Sequence, residues 1–334
     1  MWGLRAAVVV ALLEVAMSPA IARARTHVVA PGERWPRLSA GDVVNLRPGL
    51  YTFSPQLEIR TPRVTIRAEQ KWTAVIRNSP RHGIAVLAPH VVLEGLEVRG
   101  SGISGIKVFE RTRTSQAAEH VTIRDCWIHH NAANGIEAHG REGLVVEGCR
   151  ISWNGVDRPA ARPDGTPSRP HGVYASGYRH VYRENEIDHN AGHGLHLYGN
   201  GAEGTQGATI VRNVCLHNGS RQILVQGPAE DGNWEPNRIA DNVCIGGWIG
   251  IAVWGGSSKR PTQVVGNTCA GQSLAPHYHR TPSGVFAQVQ CEENVTDKPL
   301  VGPGIQPGMV GKGNRVRSTR ELSAIEADGQ RFGS

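Results

Sequence analysis

The chain has 334 residues, of which 39% are hydrophobic but only 5% aromatic, with 41 glycines and a formal net charge of +7. That share of apolar residues excludes a disordered chain, and the scarcity of rings excludes a thick aromatic core. The positive balance fits a polyanionic partner and equally a generic solvated surface, and no Lys/Arg block with interleaved aromatics occurs, so nucleic acid is not expected.

Residues 1–24 read as a cleaved signal peptide: Arg5, an apolar run over 6–13, and Ala22-Arg23-Ala24 as an A-x-A site. The run is too short to cross a bilayer and no longer one follows, so a secreted or periplasmic protein without a membrane partner is expected. Residues 25–334 are taken as one domain, with a first coil over about 31–70 and an irregular tail over about 296–334. A monomer is expected.

From Gly83 onwards a five-residue string recurs eight times: GIAVL, GIKVF, GIEAH, GVYAS, GLHLY, QILVQ, GIAVW and GVFAQ. The starts are Gly83, Gly105, Gly135, Gly172, Gly194, Gln222, Gly250 and Gly284, at intervals of 22 to 37 residues. In–out alternation over four residues is a strand signal, and its recurrence at this interval is a solenoid signal. A second phrase precedes many of these strings, as in IRDCWIHHN (123–131), VEGCRISWN (146–154) and YRENEIDHN (182–190). Each coil therefore holds at least two strands and a polar turn. Stacked copies would pair strand on strand at about 4.8 Å per coil.

The opening PGERWPRLSAGDVVNLRPGLYTFSPQLEIRTPRVTIRAE (31–69), with its acidic–glycine pair and Pro-Gly-x-Tyr turn, is similar to the first coil of the pectate-lyase-like superfamily. The resemblance implies an all-β fold, a right-handed parallel β-helix of about eight or more coils. It covers roughly residues 40–300 and is silent on activity, because that fold carries lyases, hydrolases, epimerases and proteins that catalyse nothing. The hydrolase signatures of the superfamily are missing: Gly192-His193-Gly194 matches GHG, but NTD, DD and RIK are absent.

Six cysteines fall on the second phrase or near the C-terminal end. Cys215, Cys244 and Cys269 share a column and read as buried thiols, whereas Cys126 and Cys149 leave bridged and free states open. The turn positions His130, His189 and His217 read as structural.

Alternation sends the third and fifth residues of each string outward. The third-position column runs Ala85, Lys107, Glu137, Tyr174, His196, Leu224, Ala252 and Phe286. The fifth runs Leu87, Phe109, His139, Ser176, Tyr198, Gln226, Trp254 and Gln288. Just before the strings stand His82, Ser104, Asn134, His171, His193, Arg221, Ile249 and Ser283. Titratable side chains crowd the coils of Glu137, Tyr174 and His196. Tyr174, His196, His171 and His193 are the candidate catalytic residues, and Arg169, Lys107, Glu137, His139, Tyr198 and Trp254 the candidate substrate-binding ones. The insertions 155–170, 227–238 and 272–283 would wall a groove with Arg158, Arg162, Arg280 and Trp234.

A base, an acid and donors for a carboxylate are the parts needed to abstract a proton α to a uronate carboxylate and expel the 4-linked oxygen. A lyase of acidic polysaccharide is the leading expectation. A C5-epimerase with the same parts, a glycoside hydrolase and a non-catalytic carbohydrate-binding solenoid are the alternatives. No metal or cofactor is assigned; Ca2+ stays open, although no Asp cluster lies on the face to supply its oxygen ligands.

Overall fold

The alternation within the repeat dictates the architecture. The computed structural model describes residues 24–77, 80–109, 117–139, 142–156, 169–199, 204–228, 233–255, 259–271, 289–296 and 312–316. The signal-peptide segment, most of the 155–170 insertion, the whole 272–283 insertion and the last repeat at Gly284 lie outside these residues, as do Arg158, Arg162 and Arg280. Among the described residues there is no helix, and the strands form three parallel sheets of 11, 8 and 11 strands. No helix in this set is long and apolar enough to cross a membrane.

Successive strands visit the sheets in turn. Thr65–Ala68, Ala74–Ile76 and Ile84–Val86 make one coil; Val92–Glu94, Glu97–Arg99 and Ile106–Val108 make the next. The second phrase is thus two strands, one in each 11-stranded sheet, and the five-residue string is the third. The strand Thr26–Val29 already pairs with Val43–Leu46, so the stack begins before residue 31. At the other end Arg315–Val316 pairs with Val295–Thr296, which carries the stack into the segment read as an irregular tail.

The second residues of the strings stack in register: Ile84, Ile106, Ile136, Val173, Leu195, Ile223 and Ile251. All are buried, and Leu57 adds one more below Ile84. Sequestering each aliphatic side chain is worth about 1.5–3 kcal/mol, which repeated coil after coil is the main stabilising term. Glycine leads the string because the next coil presses on it. A Cβ on Gly135 would lie 2.7 Å from the Gly172 carbonyl and from Ile151 Cγ2, and 2.8 Å from Asn154 Nδ2.

Two columns of buried asparagines replace solvent at the coil corners. Asn185, Asn213, Asn242, Asn267 and Asn294 each donate Nδ2 to the Oδ1 of the next asparagine at 2.8–3.1 Å, the last of them to Asn314. A second column joins Asn131, Asn154, Asn190 and Asn218 in the same way. It closes on Gln222, whose Oε1 accepts from Asn218 Nδ2 at 2.7 Å and whose Nε2 donates to the Gly246 carbonyl at 2.9 Å. This explains why one string begins with Gln rather than Gly: the following coil offers Gly247 where an asparagine would stand, and the Gln222 amide takes over its role.

All six cysteines are free and buried. Cys215, Cys244 and Cys269 are register partners, as their column implied. Cys126 and Cys149, for which a bridge stayed open, are free as well. Cys149 occupies a corner of the first ladder, since its amide donates to Asn185 Oδ1 at 3.0 Å. His130, His189 and His217 sit at corners with φ near +50°, and their rings line up with Trp153 in an outer stack: 6.2 Å from His130 to Trp153, 4.5 Å to His189 and 5.4 Å on to His217.

Candidate active site

The outer face of the eight-stranded sheet carries the outward columns in the expected register: Lys107 beside Glu137, Glu137 beside Tyr174, Tyr174 beside His196. Outward does not mean solvated throughout. Ala85 and Ala252 are fully buried, Leu224 is 1% exposed and His196 only 8%. At the far end Leu224, Ile249 and Ala252 form a small apolar cluster with Trp254 packed on it, beyond the coils that carry the histidines.

Glu137 is the hub of one half of the site. Its Oε1 meets Lys107 Nζ at 2.6 Å and His139 Nε2 at 3.4 Å, and its Oε2 accepts from the Ser104 hydroxyl at 2.7 Å. Burial by itself would raise the Glu137 carboxyl, but the donors His139, Lys107 and Ser104 and the lysine charge outweigh it and hold it well below the usual carboxylate range. Glu137 therefore remains an anion. On the other side of the same ring, His139 Nδ1 lies 3.2 Å from Ser176 Oγ; in the tautomer with the proton on Nε2, beside the Glu137 anion, Nδ1 is an acceptor.

The other half is a knot of rings. His171, His193 and His196 have pairwise centroid distances of 4.7 to 4.9 Å. Tyr174 packs 5.1 Å from His196, 5.3 Å from His171, 5.5 Å from His139 and 5.7 Å from Tyr198. Burial raises the Tyr174 hydroxyl above its ordinary value, with smaller contributions from Tyr198 and Glu137, so Tyr174 holds its proton. Burial likewise lowers His193 to about 3, assisted by His196, Arg221 and Arg169, and lowers His196 to about 4, assisted by Arg221. Both imidazoles are neutral near neutral pH.

Their tautomers are set by the backbone. The His193 amide donates to His171 Nδ1 at 2.9 Å, and the Arg221 amide donates to His193 Nδ1 at 3.1 Å. His82 and Asn134 serve the amides of Ser104 and His171 in the same way. This edge column is thus a structural ladder as well as a candidate site. Because Nδ1 accepts in His171 and His193, the proton of each neutral ring is on Nε2. His171 Nε2–H then donates to His196 Nδ1 at 3.2 Å, which puts the His196 proton on Nε2 too. That Nε2 is buried with no aligned partner among the described residues, while the Gln226 carbonyl is turned to the Gly199 amide at 3.2 Å.

The three histidines bring ligand nitrogens within 4.8 Å of one another, as a metal site would. The tautomers oppose that use. A metal on Nε2 of His171 or His193 would leave a proton on Nδ1 facing a backbone N–H, whereas metal-ligating histidines normally donate their second N–H to an acceptor. The cluster is instead built to present N–H donors.

Of the remaining expected residues, Lys107 and His139 belong to the Glu137 hub and Tyr198 to the ring cluster. Arg169 is exposed immediately before the His171 coil. Trp254 stands apart, two coils beyond Tyr198, facing the Arg221 guanidinium at 5.2 Å. Arg221 also lies 5.0 Å from the Trp248 ring. Ser104, Ser176, Arg221 and Gln226 are members of the site that residue type alone did not single out; all four stand in the outward and edge columns, and adjacency to a titratable neighbour one coil away was the usable signal.

The family described as right handed beta helix region matches residues 75–269. No curated protein matches the chain in sequence. Among solved structures, the chain is similar to pectate lyase Pel9A, with a TM-score of 0.61 and 17% identity over 87% of this chain and 79% of that one. An alginate lyase from Paenibacillus sp. str. FPU-7 gives 0.53 and 15% over 88% of this chain and 96% of that one. The A-module of the Azotobacter vinelandii mannuronan C-5 epimerase AlgE4 gives 0.50 and 16%, over 77% and 80%. At these identities the likeness is one of fold, and it agrees with the pectate-lyase-like resemblance of the first coil.

Proposed function

Since the chain belongs to the right-handed β-helix family, and since its eight-stranded sheet gathers base, acid and N–H donors on one face, we propose that it is an enzyme of acidic, uronate-containing polysaccharides that cleaves them by β-elimination. The observation that carries this reading is the convergence of His139, Tyr174, His193 and His196 on adjacent coils of one sheet face. The solved structures of similar fold include a pectate lyase and an alginate lyase, which supports the substrate class. An export signal at the N-terminus would deliver the enzyme to such polymers outside the cytoplasm.

The roles follow from the protons. His139, held by Glu137, has its Nδ1 lone pair open once the Ser176 hydroxyl rotates, and it takes the proton α to the carboxylate. Charge then develops on the carboxylate, where the neutral Nε2–H of His193 and the cation of Arg169 stabilise it, with His196 packed behind them. Tyr174, protonated and packed between His139 and His196, gives its proton to the departing 4-oxygen, and a C4–C5 double bond remains.

The test is ultraviolet absorbance of the unsaturated product when the protein meets a panel of uronate polymers, with nuclear magnetic resonance of the polymer in parallel. Absorbance that grows with time supports elimination. Inversion at C5 without chain cleavage would move the assignment to an epimerase, in which the same proton is returned from the opposite side. New reducing ends without a double bond, or no change in any polymer, would overturn the proposal.

A further inference from the structure

We propose that the same face also hydrolyses short O-acyl esters on sugars, with Ser176 as nucleophile, His139 as its base and Glu137 as the carboxylate that orients the histidine. The three groups form one line of contacts across two coils: Ser176 Oγ lies within hydrogen-bond distance of His139 Nδ1 at 3.2 Å, and His139 Nε2 makes an ion-pair contact with Glu137 Oε1 at 3.4 Å. A hydroxyl, an imidazole and a carboxylate, here half-buried, in that order are the parts of the serine-hydrolase arrangement, which recurs on unrelated folds because only its geometry matters. Here Nδ1 rather than Nε2 faces the serine. Either nitrogen can serve, provided the other holds its proton on a carboxylate.

The backbone fixes each member. Glu137 is the middle residue of the strand Ile136–Ala138, which places His139 just beyond it. Ser176 follows the neighbouring strand Val173–Ala175, and its amide is tied to the Ala138 carbonyl at 2.9 Å. Lys107 and Ser104, both from the preceding coil, anchor Glu137 at Oε1 and Oε2, so the carboxylate is held still beside the histidine. A serine placed only to complete a polar face would not need its partner histidine oriented by a second, rigidly held group.

The chemistry balances without any further reagent than water. Ser176 Oγ attacks the acyl carbonyl carbon as His139 Nδ1 takes the hydroxyl proton. The C–O bond to the sugar breaks, and His139 returns the proton to the sugar oxygen. Water, deprotonated by the same nitrogen, then cleaves the acyl-serine to release the carboxylic acid and restore Ser176. Glu137 stabilises the imidazolium in each half, and the Tyr174 hydroxyl is a neutral donor on the same face for the carbonyl oxygen.

The activity shares the face with the eliminative reading but does not depend on it, and the two are read by different signals. The experiment treats the full-length protein with a fluorophosphonate probe, maps the adduct by tandem mass spectrometry, and follows acetate release from 4-nitrophenyl acetate and from a chemically O-acetylated uronate polymer. The expected result is a single adduct on Ser176 and ester hydrolysis that falls about 10²-fold or more in Ser176→Ala and in His139→Ala. Glu137→Gln is expected to lower the rate and to alter its pH profile, because the histidine loses the anion that supports its protonated form. The adduct is read on the parent protein, so the test stands even if a variant folds poorly. Absence of an adduct at Ser176, or an unchanged ester rate in a folded Ser176→Ala protein, would overturn the proposal. Neither outcome bears on unsaturated product from a polymer without acyl groups.

Discussion

At the scale of single residues, the histidines differ by the hydrogen bonds they keep. His193 and His196 are held neutral by burial, at about 3 and about 4 against an ordinary 6.5, and His129 behaves alike at about 4. Below pH 6.5 the unfolded chain binds protons at these rings that the folded chain refuses. Their contribution to stability is therefore complete above about 6.5 and is lost as pH falls towards about 4 for His196 and His129 and about 3 for His193, on the order of a few kcal/mol per ring. Glu97 and Glu186, raised by burial, act in the opposite sense. Thermal melts from about pH 7 to about pH 4.5 should show a falling midpoint in the parent and a shallower fall in His196→Gln. A parent midpoint that does not change over that window would contradict the neutral assignment. The catalytic roles separate at the same scale. Tyr174→Phe and His139→Ala should each reduce polymer cleavage about 10²-fold or more with the circular dichroism spectrum retained. His130→Ala, in the outer corner stack, should keep activity, and equal loss in all three would point to general destabilisation instead.

At the scale of the element, the corners are as decisive as the strands. A buried asparagine amide needs donors and acceptors on every side, and the ladders supply them from the coils above and below. Asn213 receives from Asn185 and gives to Asn242 and to the Tyr182 carbonyl at 3.0 Å. Asn213→Ala would strip partners from both neighbours and should cost about 3 kcal/mol or more, visible as a lower midpoint in chemical denaturation. Cys149 is the informative contrast. It occupies a ladder corner, its Sγ lies 3.5 Å from the Ile123 carbonyl, and its amide already uses Asn185 Oδ1. Cys149→Asn would extend the ladder by one rung and should match or exceed the parent in stability. A loss comparable to that of Asn213→Ala would show that the ladder cannot be lengthened at this end.

At the scale of the molecule, the stack has one continuous aliphatic interior with the thiols inside it. Thiol reagent added to the native protein should react slowly or not at all, and denaturant under non-reducing conditions should release all six cysteines. A smaller number on unfolding would mean that a bridge forms after all. Ile136→Asp places an unpaired charge in the middle of the aliphatic column, where its cost of about 3–5 kcal/mol should prevent recovery of folded protein. Soluble, β-rich Ile136→Asp with a parent-like midpoint would contradict the stacked interior.

Local pattern determined a large part of this protein. The aliphatic residue at the second position of each string had to face inward, and every strand so marked within the described residues stacks in the implied register, from Ile84 to Ile251. The same alternation located the columns that contain the candidate site. Three things depended on the folded stack. The second phrase resolves into strands of two different sheets, because the αL corner at residues such as Asp125 turns the chain within it. Positions that alternate outward, such as Ala85, Leu224 and His196, are covered nonetheless, because exposure depends on what packs over a strand as well as on which side a residue leaves it. The proton positions on His171, His193 and His196 follow from amides one coil away, separated by 22 or 28 residues for the two Nδ1 contacts. Periodicity is a property of neighbours along the chain, so it can be read before folding. Burial and tautomer are set by neighbours in space, which exist only once one coil has settled on the next.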